Sequence, residues 1–187
     1  MITNQQIYVF DSPDGTGKTE IGKELSRRLG IPYFKMTTEH ENWRKKTFID
    51  ALRFDQTYIA EFLKQTGHSA IIDRAWPAEW VYSKVFGRMT DMEVLEKVDA
   101  TFAALGAVIV VPLRRDYSNS REDEVVPQDK LQQLHDTYLS FSEWTKCRVL
   151  QLYVDDFKND LKKEMHAIYS AWWSFGHTNR VIVAEKP

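Results

Sequence analysis

Residues 10 to 20, FDSPDGTGKTE, set two glycines, a lysine and a hydroxyl residue directly after a short apolar run. Gly17, Lys18 and Thr19 match the end of the phosphate-binding pattern G-x-x-x-x-G-K-[ST], with Ser12 where its first glycine is expected. Such a loop works because backbone N–H groups and a helix N-terminus point at phosphate oxygens. Gly15 and Gly17 permit the close approach and unusual dihedrals that this requires. The cradle is expected to comprise Ser12, Pro13, Asp14, Gly15, Thr16, Gly17, Lys18, Thr19 and Glu20. Lys18 would neutralise the β- and γ-phosphates of ATP, and the Thr19 hydroxyl would hold Mg²⁺.

Three more places carry groups suited to the same chemistry. Asp73-Arg74 ends the apolar run SAIID, putting a carboxylate and a planar cationic fork at a strand terminus. Asp73 is expected beside the metal or a metal-bound water, and Arg74 on an acceptor phosphate. Glu39, in MTTEHENWRKK, could act as a base or hold the acceptor. The charged stretch PLRRDYSNSREDEVVPQD lies between an apolar run and a helix stripe. There Arg121 is the first choice to stabilise charge on a transferring phosphoryl group, with Arg115 and Arg114 behind it.

These groups need a scaffold that collects strand ends. IYVFD (7–11), PYFKM (32–36), SAIID (69–73), AVIVVPL (107–113) and RVLQLYV (148–154) read as strands, several of them apolar on consecutive residues. That is the mark of parallel strands covered on both faces. Between them run helical stripes: Ile21, Leu25, Leu29; then Ile49, Leu52, Ile59, Phe62, Leu63; then Val94, Leu95, Val98, Phe102, Leu105; then Leu131, Leu134, Tyr138, Phe141; and finally Phe157, Leu161, Met165, Ile168, Trp172. The alternation predicts an α/β three-layer sandwich on a five-stranded parallel sheet. The tail SFGHTNRVIVAEKP leaves two alternatives, an edge strand or an ordered extension.

The 187 residues suit a single domain over 1–187. A net charge of −2 gives no support for a broad duplex-binding surface. Cys147 is the lone cysteine, which excludes an intrachain disulfide and a cysteine metal cluster. AVIVVPL is too short to span a bilayer, and MITNQQ has neither the basic flank nor the apolar stretch of a secretory signal. A soluble cytoplasmic protein is expected.

The loop as a whole resembles that of thymidylate kinases, commonly F-E-G-x-D-G-x-G-K-[ST]. Asp11 stands where that family has glutamate, and Asp14 matches its loop aspartate, which in the family contacts the 3′-hydroxyl of the acceptor sugar. Asp73-Arg74 resembles the family's D-R-[YFH]. Thr38-Glu39 is similar to the [RT]-E-P of thymidylate and deoxynucleoside kinases, and Trp43-Arg44 to the W-R of the latter. ALRFDQTYIAEF resembles the base-recognition stretch, which implies Phe54 for stacking and Arg53 and Gln56 for the base edge. Trp76 and Trp80 are candidates either to wall the acceptor pocket or simply to pack in the core, and the position of Asp155 after the fifth strand makes it a candidate to border the adenine. The implied fold is a P-loop kinase of the adenylate-kinase type with a small lid at about residues 114–128, and relatives in that family are often homodimers.

The leading expectation is ATP–Mg²⁺-dependent phosphoryl transfer to a deoxynucleoside monophosphate. Alternatives are a deoxynucleoside 5′-kinase, or a P-loop kinase acting on a hydroxymethyl-pyrimidine in DNA. A nucleotide switch or silent binding module ranks lower. The N-K-x-D motif of switch GTPases does not occur (KNDLKK at 158–163 lacks the order), and Lys18 and the acidic partners are retained.

Overall fold

The computed structural model describes residues 5–35, 48–117, 126–154, 165, 166, 168 and 181–184, with the backbone alone for 48–56, 182 and 184. Its elements run β1 (Ile7–Phe10), α1 (Lys18–Leu29), β2 (Tyr33–Lys35), α2 (Phe48–Thr66), β3 (Ala70–Asp73), α3 (Trp76–Phe86), α4 (Met92–Ala104), β4 (Val108–Leu113), α5 (Gln128–Trp144), β5 (Arg148–Tyr153) and β6 (Val181–Ala184). The sheet order is β2-β3-β1-β4-β5-β6, and every pairing is parallel. The five expected strands are all present. The tail resolves as the edge strand β6, which pairs Val149 of β5 with its own Val181 and makes a sixth.

Strand side chains alternate between two faces, and the sequence supplies apolar groups to both. Ile7, Val9, Ile72, Ile109, Val111 and Val149 bury against α3, α4 and α5, through residues such as Trp80, Phe102 and Tyr138. Tyr8, Phe10, Ile71, Val110, Leu150 and Leu152 bury on the other side against Ile21 and Leu25 of α1, with Met165 and Ile168. The result is the expected three layers. Phe62 departs from its stripe: Leu63 beside it is buried, whereas Phe62 is exposed. The rest of the last stripe, Phe157, Leu161 and Trp172, lies outside the described residues.

Because the strands are parallel, their carboxyl ends share one edge. β1 sits between β3 and β4, so the chain leaves it toward β2 and β3 on one side and later builds β4 to β6 on the other. Ligands bind at such a switch point in open α/β sheets, and the loop at 11–17 opens there. Among the described residues, no helix is long and apolar enough to cross a membrane.

Candidate active site

Gly17 caps α1 with φ 78°, and Gly15 has φ 77°, both in the left-handed region open to glycine. Ser12 needs no such freedom, since Arg74 is the one described non-glycine residue with positive φ. Its side chain is instead used inside the loop. The buried Ser12 Oγ and Thr16 Oγ1 share a hydrogen bond of 2.5 Å, and Thr16 Oγ1 also donates to the Pro13 carbonyl at 3.0 Å. The serine closes the base of the loop where the pattern expects glycine.

β1 and β3 are paired so that Phe10 lies opposite Asp73, which brings the end of β3 against the loop. Asp73 is fully buried. Its Oδ2 accepts from the Thr19 hydroxyl at 2.6 Å and from the Tyr33 hydroxyl at 2.5 Å. Its Oδ1 is buried with no hydrogen-bond partner among the described residues. A carboxylate oxygen in that condition is costly unless a cation or donor completes it. The donor set, Thr19 Oγ1 with the unengaged lone pairs of Asp73 Oδ1, is all oxygen and so suits Mg²⁺.

Arg74 follows in a left-handed turn, φ 63°, with its N–H bonded to the Phe10 carbonyl at 2.9 Å. This turn delivers its guanidinium to the loop, where it forms an ion pair with Asp14 Oδ1. The same oxygen accepts from Lys18 Nζ at 3.1 Å, and Asp14 Oδ2 accepts from the Tyr82 hydroxyl at 3.2 Å. Two cations from distant positions thus converge on one carboxylate. Burial alone would raise the Asp14 pKa, but Arg74 and Lys18 together hold it below its ordinary value. Lys18 titrates below its ordinary value, first through burial and then through repulsion by Arg74. Burial also works against charged Arg74, but Tyr82, Asp14 and Asp11 outweigh it and keep its pKa raised. The Tyr82 hydroxyl, pushed up to about 12 chiefly by burial, remains a donor at neutral pH.

Asp11 underlies this cluster. It is fully buried; Oδ2 accepts the N–H of Ala75 at 3.0 Å and of Ala78 at 2.9 Å, and Oδ1 accepts the Tyr138 hydroxyl at 2.7 Å. The first turn of α3 has no side-chain cap of its own, so Asp11 caps it from 64 residues away in sequence, taking the Ala75 amide and sharing that of Ala78 with the Ala75 carbonyl. The carboxylate pins the loop's root, α3 and α5 to one point. Burial, the largest influence, raises its pKa, with Arg74 and Tyr138 opposing.

Lys18, Thr19, Asp14, Asp73 and Arg74 are therefore brought together. Glu20 is exposed at the first turn of α1. Arg115 lies past the end of β4, exposed, with its guanidinium carbon 4.9 Å from the Tyr153 ring centre. Trp76 corrects an expectation. It is fully buried, stacked on Phe102 at 4.5 Å, and its indole N–H donates to Asp99 at 3.0 Å, so it belongs to the α3–α4 core and walls no pocket. Trp80 packs likewise against Phe141 and Trp144. Glu39, Trp43, Arg121 and Asp155 lie outside the described residues, and Arg53, Phe54 and Gln56 belong to the part of α2 known by backbone alone. Tyr33, Tyr82 and Tyr138 were not singled out as site residues from the sequence, and Asp11 was noted only for its family position.

No family model and no curated protein matches this sequence. The likeness is in three dimensions. The YorR protein of Bacillus subtilis, solved in complex with phosphorylated GDP, superposes with a TM-score of 0.62 at 18% identity, covering 93% of this chain and 100% of that one. Thymidylate kinase from Ehrlichia chaffeensis gives 0.55 at 12% identity, over 90% and 98% of the two chains. Deoxyadenosine kinase from M. mycoides with products dCMP and dCDP gives 0.53 at 19%, over 90% and 100%. The fold is that of the P-loop nucleotide and nucleoside kinases, with their parallel order β2-β3-β1-β4-β5.

Proposed function

We propose that the protein is an ATP-dependent phosphotransferase whose acceptor is a deoxynucleoside monophosphate. The observation that carries this reading is the convergence of Lys18 and Arg74 on Asp14. One cation belongs to a loop built for the donor phosphates. The second arrives from another strand and suits a second anion, as an acceptor phosphate would be. A nucleoside kinase has no such second anion to hold.

Lys18 and the loop amides would bind the β- and γ-phosphates of ATP, and Arg74 would fix the acceptor phosphate in line with the γ-phosphorus. An acceptor phosphate oxygen attacks that phosphorus while its bond to the β–γ bridging oxygen breaks, leaving ADP and a diphosphate product. The nucleophile is already ionised, so catalysis is positioning and charge neutralisation. Thr19 and Asp73 would hold Mg²⁺, which offsets the charge of the phosphates when bound. Asp14, paired with Arg74 and Lys18, would meet the acceptor sugar, as the family resemblance implies. The segment at about 114–128 would supply the lid, with Arg121 reaching the transferring group. ATP and deoxynucleotides are cytoplasmic solutes, which fits the expected compartment.

A second reading, phosphorylation of a deoxynucleoside 5′-hydroxyl, draws on the unpartnered Asp73 Oδ1, which could take the proton. The test is ADP release from ATP–Mg²⁺ against deoxynucleoside monophosphates, deoxynucleosides, and DNA with and without hydroxymethyl-pyrimidines. Turnover is expected on a monophosphate, with Arg74→Ala lowering kcat/KM for it about 100-fold, the effect of losing a charge-assisted pair worth about 3 kcal/mol. Turnover on nucleosides or DNA alone overturns the reading.

A further inference from the structure

Tyr33 is not needed to make the phosphate loop, yet it ends in the middle of the candidate metal site. It stands at the start of β2, on the far side of β3 from the loop, with β2 and β3 in parallel register. Its hydroxyl reaches Asp73 Oδ2 at 2.5 Å and meets there the hydroxyl of Thr19 at 2.6 Å. Both donors choose the same oxygen. The other, Oδ1, is left buried and without a partner among the described residues. Two donors on one oxygen fix the rotation of a carboxylate, so it is the second oxygen that a ligand finds. Thr19 gives its proton to Asp73 and keeps its lone pairs, the arrangement a hydroxyl needs to ligate a cation.

The ring gets there because α1 makes room for it. A Cβ on Gly22 would lie 3.1 Å from Tyr33 Cε2, closer than a comfortable contact, and 3.6 Å from Ile71 and Phe10 side-chain atoms. Gly22 sits three residues after Thr19, on the same face of α1. Its φ is not in the left-handed region, so space and not backbone freedom is its contribution. Gly22, Tyr33, Asp73 and Thr19 form one connected unit, in which a missing side chain on α1 admits a hydroxyl to β3.

We propose that Tyr33 is a positioning residue that holds Asp73 Oδ2 so that Oδ1 is presented to a divalent cation, and that Gly22 is the residue that admits it. The inference rests on the reading of Thr19 and Asp73 as the cation site of an ATP-dependent enzyme. Partners that orient a ligating group typically change metal affinity by about 10- to 100-fold when lost. The test is Mn²⁺ binding, followed by electron paramagnetic resonance in the presence of ATP and without acceptor, so that turnover is not the readout. Tyr33→Phe keeps the ring and its packing. It is expected to weaken Mn²⁺ binding about tenfold while metal-free ATP affinity stays unchanged. Gly22→Ala is expected to move it the same way by a smaller factor. Unaltered Mn²⁺ affinity in Tyr33→Phe, with binding lost in Asp73→Asn, overturns the role of Tyr33 and leaves the cation site standing. Absence of Mn²⁺-dependent ATP binding in the wild type, or its persistence in Asp73→Asn, overturns both.

Discussion

Replacing Asp14 by Asn should make the protein less stable and, at the same time, a tighter binder of metal-free ATP. Asp14 Oδ1 holds Lys18 Nζ at 3.1 Å and Arg74 as well. Lys18 must give up that pairing to reach a donor phosphate. A hydrogen bond to a charged group nets about 1.5–3 kcal/mol, and the 20% exposure of the Asp14 side chain argues for the lower end. Since about 1.4 kcal/mol is tenfold in affinity, Asp14→Asn should bind ATP in EDTA about tenfold more tightly by isothermal titration. The unliganded variant leaves two mostly buried cations facing each other without their carboxylate. A cost of about 2 kcal/mol follows, or a fall in Tm of about 4–8 °C for a chain of this size. Saturating ATP should close much of that gap, because its phosphates replace the lost charge. The sign with pH is also set. Asp14 has its pKa depressed in the folded state, so its contribution is complete above the ordinary value of 3.8 and disappears as pH falls through the lower, folded value. The stability difference between wild type and variant should shrink over that acid window. Equal or weaker ATP affinity in Asp14→Asn, or a Tm gap that ATP leaves untouched, would refute the account of Asp14 as a stand-in for phosphate.

Two further substitutions separate charge from geometry elsewhere. Asp11→Asn can keep both amide acceptances of α3 and offer its NH₂ to Tyr138. Because burial raises the Asp11 pKa, its ionisation costs stability as pH rises from 3.8 to the raised value. The Asn variant should therefore melt no lower than wild type at pH 7, with any advantage gone below pH 3.8. Asp11→Ala, which orphans the Ala75 amide and the Tyr138 hydroxyl at about 1–3 kcal/mol each and leaves the Ala78 amide only its bond to the Ala75 carbonyl, should lose at least about 2 kcal/mol in chemical denaturation. Trp76→Phe removes the indole N–H from Asp99 but leaves the latter its bonds to Thr145 and the Lys146 amide. It should cost about 1–2 kcal/mol and leave the KM of the acceptor unchanged; a raised KM would return Trp76 to the pocket.

The fold was legible because its signals are local. Consecutive apolar residues in AIID and VIVVPL, helix stripes closed by Gly30 and Gly106, and a glycine-lysine-threonine turn each lie within a dozen residues. β6 was harder: VIVA is four residues long, and only its partner β5, 32 positions earlier by the Val149–Val181 register, distinguishes strand from extension. Trp76 misled because a tryptophan next to Asp73-Arg74 looks placed for a ligand. In a helix, the residue two positions past a site points where the helix packing sends it, and here α4 offers Phe102 and Asp99. Ser12 was expected in the cradle despite the missing glycine, and the structure gives the reason it fits. The pattern asks for glycine, but the backbone there does not take a positive φ, so the hydroxyl costs nothing and gains Thr16.

What the sequence could not display is the set of tyrosines. Three aspartates stand at the site, and each receives a phenolic hydroxyl from a different element: Asp73 from Tyr33 of β2, Asp14 from Tyr82 of α3, Asp11 from Tyr138 of α5. The separations are 40, 68 and 127 residues, beyond any motif. The residue type has a physical reason. A buried carboxylate must be solvated, and a lysine or arginine would do so by cancelling its charge. A tyrosine supplies a donor and leaves the charge in place. All three hydroxyls titrate above the ordinary tyrosine value, with burial the leading cause, so they remain donors across the neutral range. Asp14, whose pKa is lowered, is thus left to Lys18 and Arg74, and the second oxygen of Asp73 to a divalent ion under the proposed chemistry. Phenylalanine at any of the three positions preserves shape and tests that division of labour, one aspartate at a time.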